Sequence, residues 1–222
     1  MSEEQTGELP VRPRGTDFEA FYSGTPPWDI GRPQPAFQAL ADAGEIRGRV
    51  LDAGCGTGEH ALMAARMGLE ATGIDAAPTA IEIARKKARD RGLQARFLVG
   101  NALELASLGQ QFDTVIDSGL FHVFNDNDRA AYVASLSAAT APGGRYFMLC
   151  FSERQPGDLG PRRVTQDEIR ASFQKGWQVD AIDPVKLDTT LGPDGVFAWL
   201  ACITRVEQVG QAFSLSGLRP GS

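Results

Sequence analysis

The segment VLDAGCGTGEH sets glycines at alternate positions, Gly54, Gly56 and Gly58, between an apolar run and an amphipathic one. Glycine lets a chain turn sharply from strand to helix and lets its backbone come close to a ligand. Farther on, EATGID ends in Asp75, with Ala76 next. A carboxylate at the end of a second strand can accept hydrogen bonds from two ribose hydroxyls. Together these features point to a nucleoside-bearing cofactor. The dinucleotide fingerprint spaces its glycines GxGxxG, whereas the spacing here is GxGxG, and no YxxxK pair accompanies it. Asp52, just ahead of the loop, would be unfavourable beside a pyrophosphate but can orient the loop and tolerate a ligand bearing an ammonium group. The pattern favours S-adenosylmethionine (SAM) over a nicotinamide or flavin. An NAD(P)-dependent oxidoreductase and a noncatalytic SAM-binding module stand as the alternatives.

Other residues suit an acceptor. In FDTVIDSGLFHVF, His122 is the candidate base, because an imidazole takes up a phenolic or heteroaromatic proton near neutral pH. Methyl transfer is an in-line displacement and needs such a base only when the acceptor arrives protonated. Phe18, Phe21, Tyr22 and Trp28 suit a lid whose aromatic faces meet a sulfonium or stack on a planar acceptor. Arg32 suits the cofactor carboxylate or an acidic substrate, and Phe121 and Phe124 extend the acceptor pocket. Cys55, with no base placed near it, reads as structural, and His60 as solvent-facing.

These residues need a scaffold, and 222 residues suffice for one domain with a full core. RVLDA, a helix over 59–67, EATGID, a helix over 78–91, ARFLV, FDTVID, a helix over 126–139 and RYFMLCF alternate strand with helix. That alternation predicts an α/β fold, a parallel sheet with helices on both faces. Thr165 and Glu168 form a capping box for a further helix, and WQVDAIDPVKL and VFAWLACITRV predict a terminal antiparallel hairpin. Residues 1–35 read as an arm and aromatic lid, 36–206 as the domain and 207–222 as a flexible tail.

Composition narrows the partners. Net charge is −6, and the one dense basic run, Arg85 to Arg91, reads as a solvated helix face, so nucleic acid is not expected. No apolar run spans a bilayer and no signal peptide is evident, which fits a cytoplasmic enzyme. Three dispersed cysteines and two histidines offer neither a disulfide framework nor a metal site, and Cys150 and Cys202 fall in strands as core.

VLDAGCGTGEH followed by GIDAAPTAIEIARKKA resembles the first two motifs of class I SAM-dependent methyltransferases, and FLVGNALEL, FDTVIDSGLFHVF and PGG occupy the places of the later ones. The likeness covers Val50 to Phe151. GTPPWDIGRPQP resembles the N-terminal stretch of thiopurine, halide and thiol methyltransferases and of related actinobacterial small-molecule enzymes that methylate aromatic hydroxyl compounds. The resemblance implies a Rossmann-like, mostly parallel seven-stranded sheet. It implies that Gly54, Gly56 and Gly58 border the methionine and ribose, that Asp75 holds the ribose, and that Asn101 and Ala102 meet the adenine. Asp117 and Ser118 would lie under the methionine end. The family often has aspartate where Asn101 stands, and an amide carbonyl can still pair with the adenine amino group. DSGL lacks the NPPY-type sequence of enzymes that methylate amide or exocyclic amine nitrogens. A small acceptor, aromatic or heteroaromatic, methylated on oxygen, sulfur or nitrogen, is the expectation.

Overall fold

The computed structural model describes residues 18–158 and 160–206. The expected tail at 207–222 and the first 17 residues of the expected arm lie outside the described residues.

Pro35 opens α1 (Pro35–Asp42), a first-turn position whose missing N–H has no helical partner to lose. There follow β1 (Val50–Ala53), α2 (Glu59–Arg66), β2 (Ala71–Asp75), α3 (Pro78–Arg91), β3 (Arg96–Val99), β4 (Phe112–Ser118) and α4 (Asp126–Ala139). The described residues continue through β5 (Thr140–Phe151), α5 (Gln166–Ser172), β6 (Trp177–Thr189) and β7 (Gly192–Arg205). The expected capping box forms: Glu168 N–H donates to Thr165 Oγ1 at 3.1 Å, and Thr165 N–H donates to Glu168 Oε2 at 2.8 Å. Short 3-10 segments at Phe18–Ser23, Ala102–Leu108 and Phe121–Val123 have no counterpart in the sequence reading, because one or two turns are too brief to show a period.

The strands form one seven-stranded sheet in the order β3-β2-β1-β4-β5-β7-β6. The first five are parallel; β7 runs antiparallel to both β5 and β6, the predicted hairpin. Both hairpin strands outrun their predicted limits. Pro184 does not stop β6, which is the edge strand of the sheet among the described residues, where a missing N–H breaks no inner ladder. Along β5, Phe147, Leu149 and Phe151 join one core layer, with Phe37, Leu62 and Ile81. Their neighbours Tyr146, Met148 and Cys150 join the other, with Tyr132, Leu136 and Trp199.

Chain order reverses between β1 and β4, and there the carboxyl ends of the strands diverge into a crevice. Gly54, Asp75, Gly100 and Ser118 all lie at those ends. The basic face of α3 is solvated as expected, Arg85, Lys86, Arg89 and Arg91 being exposed and Lys87 half-buried. The sequence reading did not foresee that three of these cations also bond inward: Lys87 and Arg91 clasp Glu59 of α2, and Arg85 donates to the carbonyl of Phe97. No helix among the described residues is long and apolar enough to cross a membrane.

Candidate active site

A cavity of about 320 Å³ opens at the strand ends. Gly54, Asp75, Ala76, Gly100, Asn101 and Ala102 line it beside β1, β2 and β3, and Ser118, Leu120, His122, Val123, Phe124 and Phe151 line it beside β4 and β5. Phe18, Phe21, Tyr22, Pro27, Trp28 and Gln34 bring the N-terminal arm to its wall. A smaller cavity of about 50 Å³ continues past the glycine turn and shares Trp28, Gln34, Gly54 and Ser118 with the large one.

The glycines divide the labour. Gly54 borders both cavities and Gly56 the smaller. Gly58 borders neither; at φ +87° it turns the chain into α2, where an added Cβ would lie 2.7 Å from the Phe97 ring. It is placed for packing, not for the ligand edge implied by the resemblance.

Asp75 Oδ2 accepts from Gly56 N–H at 2.8 Å and Oδ1 from Ala77 N–H at 2.9 Å, so the carboxylate fixes the glycine turn while keeping spare lone pairs at the cavity wall. Burial pushes its pKa above the usual carboxylate value. Asn101 lines the cavity, but its Oδ1 accepts from Leu103 N–H and so caps the following turn.

Asp52 and Asp117 lie behind the wall. Asp52 is fully buried; Oδ2 accepts from Ala61 N–H at 3.1 Å, Oδ1 has no hydrogen-bond partner among the described residues and lies 4.0 Å from His60 Nδ1, and burial pushes its pKa up to about 7. Asp117 accepts from the N–H groups of Leu120 and Phe121 and from the hydroxyls of Tyr132 and Tyr146. Burial raises its pKa to about 6, and its four donors show that it shapes the turn after β4. Ser118 beside it reaches the cavity. Phe121 is wholly buried, stacked on Phe173 with the Arg129 guanidinium 4.4 Å from its ring centre. Leu120, Val123 and Phe124 supply the wall that sequence reasoning gave to Phe121 and Phe124.

His122 lines the cavity, and its Nδ1 accepts the Phe151 N–H at 3.0 Å. A ring accepting at Nδ1 carries its proton on Nε2 when neutral, which makes Nε2 a donor. His60, expected in solvent, is buried: Nε2 accepts the Gln34 N–H at 3.1 Å, the ring meets Phe37 edge-on, and burial lowers its pKa to about 4. Cys55 is buried with its thiol pKa pushed well up, against nucleophilic use. Cys150 and Cys202 are buried in β5 and β7.

The arm is stitched down. Gln34 donates to the carbonyl of Asp188 and accepts its N–H, Arg32 pairs with the Asp188 carboxylate at 2.7 Å, and Thr190 N–H donates to Pro27 O. Glu19 accepts from Thr79 at the start of α3, and Trp28 packs on Phe21 with ring centres 5.1 Å apart and donates to the Tyr22 hydroxyl. Gln34, Leu187 and Thr189 belong to the wall although nothing in their local sequence marks them.

Residues 50–144 match the methyltransferase domain family. The chain is 41% identical over 181 residues to the 2-heptyl-1-hydroxyquinolin-4(1H)-one methyltransferase of Mycobacteroides abscessus, covering 77% of this chain and 80% of the relative. The chain belongs to the class I SAM-dependent methyltransferases. A protein solved in work on the conversion of a disulfide bond into a thioacetal group during echinomycin biosynthesis is 42% identical to this methyltransferase. It superposes with a TM-score of 0.79 over 85% of this chain and 91% of its own. A probable thiol methyltransferase of Arabidopsis thaliana is 28% identical over 178 residues, 79% of this chain and 78% of the relative. The nicotinamide alternative is thereby set aside.

The methyltransferase's own geometry fits SAM. Asp75 retains lone pairs at the wall of the kind that ribose hydroxyls could fill, and a Cβ added at Gly54 would lie 3.0 Å from Leu120. The cavity is also of ligand size.

Proposed function

We propose that this SAM-dependent small-molecule methyltransferase acts on an oxygen or sulfur of a planar, mostly apolar aromatic or heteroaromatic compound. The carrying observation is the wall of the large cavity. Besides Asp75 it presents no Asp, Glu, Lys or Arg among the described residues, while Phe18, Phe21, Trp28, Leu120, Phe124 and Phe151 surround the space. Such walls reward burial of a flat apolar body, about 25 cal/mol per Å² of apolar surface, and leave a polyanion such as nucleic acid without partners. Two relatives' names support the same reading: one takes a hydroxyquinolinone, the other is a probable thiol methyltransferase.

SAM when bound supplies a sulfonium methyl group, and the chain must hold the acceptor atom in line with it and keep water out. Asp75 would orient the ribose, Asn101 and Ala102 the adenine edge, and Ser118 would border the junction of the two ligands. Phe18, Phe21, Tyr22 and Trp28 would close over both. With Nδ1 held by Phe151, we read His122 as a polarising neighbour of the acceptor and not its base. Acceptors acidic enough to arrive ionised then suit the site.

The test is turnover with SAM against matched hydroxylated heteroaromatics, aromatic thiols and aromatic amines, with methylated products identified by mass spectrometry. Products from hydroxyls or thiols support the reading; methylation confined to amines overturns it.

A further inference from the structure

Between β5 and α5 the chain makes a turn rich in glycine and proline, and Gly160 and Pro161 of that turn reach the large cavity beside Phe151. The base of the turn is tied down on its own account. Val164 N–H donates to Phe151 O at 2.9 Å, and Glu153 N–H donates to Val164 O at 3.2 Å. The Trp199 indole of β7 donates to Val164 O at 3.1 Å and to Glu153 Oε2 at 2.7 Å, and Phe197 N–H donates to Gln155 Oε1 at 2.7 Å. Farther out, residues 156–158 and 160–163 belong to no helix or strand, so their carbonyls need donors from elsewhere. One side chain gathers them. Arg163 donates through Nε to Gln155 O at 3.2 Å, through Nη1 to Pro161 O at 2.6 Å, and through Nη2 to Gly157 O at 3.0 Å and Pro156 O at 3.5 Å. Its guanidinium carbon also lies 5.3 Å from the centre of the Phe151 ring, which meets His122 edge-on. A planar fork with five donors suits carbonyls spread around it, whereas a lysine ammonium is a single point. Arg163 itself lines neither cavity.

We propose that Arg163 is a positioning residue that sets acceptor specificity: it gathers the turn so that Gly160 and Pro161 close the acceptor end of the large cavity, and it braces Phe151 beside them. The assignment rests on the aromatic-acceptor reading above. Its placement follows from the sheet. Asp75, Gly100, Asn101 and Ala102 follow β2 and β3, whereas Phe151, Gly160 and Pro161 follow β5, on the other side of the reversal between β1 and β4. A shift of the turn therefore changes the room left for the far end of an acceptor and spares the cofactor edge. At Gly160, where φ is +85°, the wall is bare backbone, so its position depends on where the chain runs and not on a rotamer. Because β5 and β7 hold the base of the turn without Arg163, losing the guanidinium loosens the wall and leaves the fold in place.

The experiment compares the full chain with its Arg163→Ala and Arg163→Lys variants. Each is given SAM with 4-alkylbenzenethiols and 4-alkylphenols bearing methyl, butyl or heptyl chains; KM and kcat are measured for every acceptor, and SAM affinity by calorimetry. Expected in both variants is a shift of about tenfold or more in the ratio of kcat/KM between heptyl and methyl compounds, toward the heptyl one, because a loosened wall admits length that the native wall limits. The shift should lie in KM, with kcat changing less and SAM affinity unaltered. Arg163→Lys keeps a charge near Phe151 but not the fork, so it should behave as Arg163→Ala does. Free guanidinium at millimolar concentration should return the ratio of Arg163→Ala toward that of the unaltered chain. A ratio unchanged in both variants, or a fall in SAM affinity as large as the change for acceptors, overturns the assignment. Turnover of none of these acceptors by the unaltered chain would count against the aromatic-acceptor reading itself, and is a separate outcome.

Discussion

At the end of β2 the Asp75 carboxylate accepts from Gly56 N–H in the glycine turn and from Ala77 N–H, and it also borders the large cavity. Asp75→Ala should weaken SAM binding by about 1.5 to 3 kcal/mol, read by calorimetry, because a charge-assisted acceptor is lost; unchanged affinity would remove Asp75 from the ribose. The sequence marked this residue through its place after a strand. It did not mark Asp117 as a turn-former, because four donors from three separate segments decide that role. His122 is similar: the sequence offered a base, and the Phe151 N–H, brought up by β5, occupies the nitrogen that would have to be free for the tautomer a base needs. If the acceptor arrives ionised, the pH midpoint of kcat/KM should move with the acceptor's own pKa across a substituted series. A midpoint fixed for every acceptor would return the proton to His122.

Among the elements, the described part of the arm brings Phe18, Phe21, Tyr22, Pro27, Trp28 and Gln34 to the wall of the large cavity. Its docking rests on Gln34, whose buried amide pairs both ways with the Asp188 backbone at the end of β6. Gln34→Ala leaves the Asp188 peptide without those partners, at a cost of about 1 to 3 kcal/mol. The arm's amides should then exchange faster with deuterium and KM for SAM should rise, with kcat changing less. Unaltered exchange across residues 18–34 would show that the arm is held elsewhere. The limits of α3 and α4 were legible from the alternation of amphipathic and apolar runs, since periodicity is local. The pairing of Lys87 and Arg91 with Glu59 was not, because Glu59 stands on another helix.

At the scale of the whole molecule, two carboxyls buried behind the sheet ends, Asp52 and Asp117, couple stability to pH. Their folded pKa values, about 7 and about 6, lie above the ordinary carboxylate value, so the native state holds these protons more tightly than the unfolded chain. That contribution is fully present below about pH 4 and is lost as pH rises through about 6 to 7. Asp52→Asn should therefore gain on the unaltered protein as pH increases from about 5 to about 8, measured as the difference in Tm. A difference independent of pH would mean that Asp52 does not titrate in that window. By itself the sequence determined the α/β class, the strand and helix alternation, the capped helices, the glycine turn and Asp75, because each depends on periodicity or on residues adjacent in the chain. Only the tertiary structure decided which glycines border the cavities and that Phe121 is core while Leu120 is wall. It alone brought Arg32 and Gln34 of the arm to Asp188 of β6. Those contacts join segments far apart in sequence, and no local pattern encodes a partner that the fold has yet to deliver.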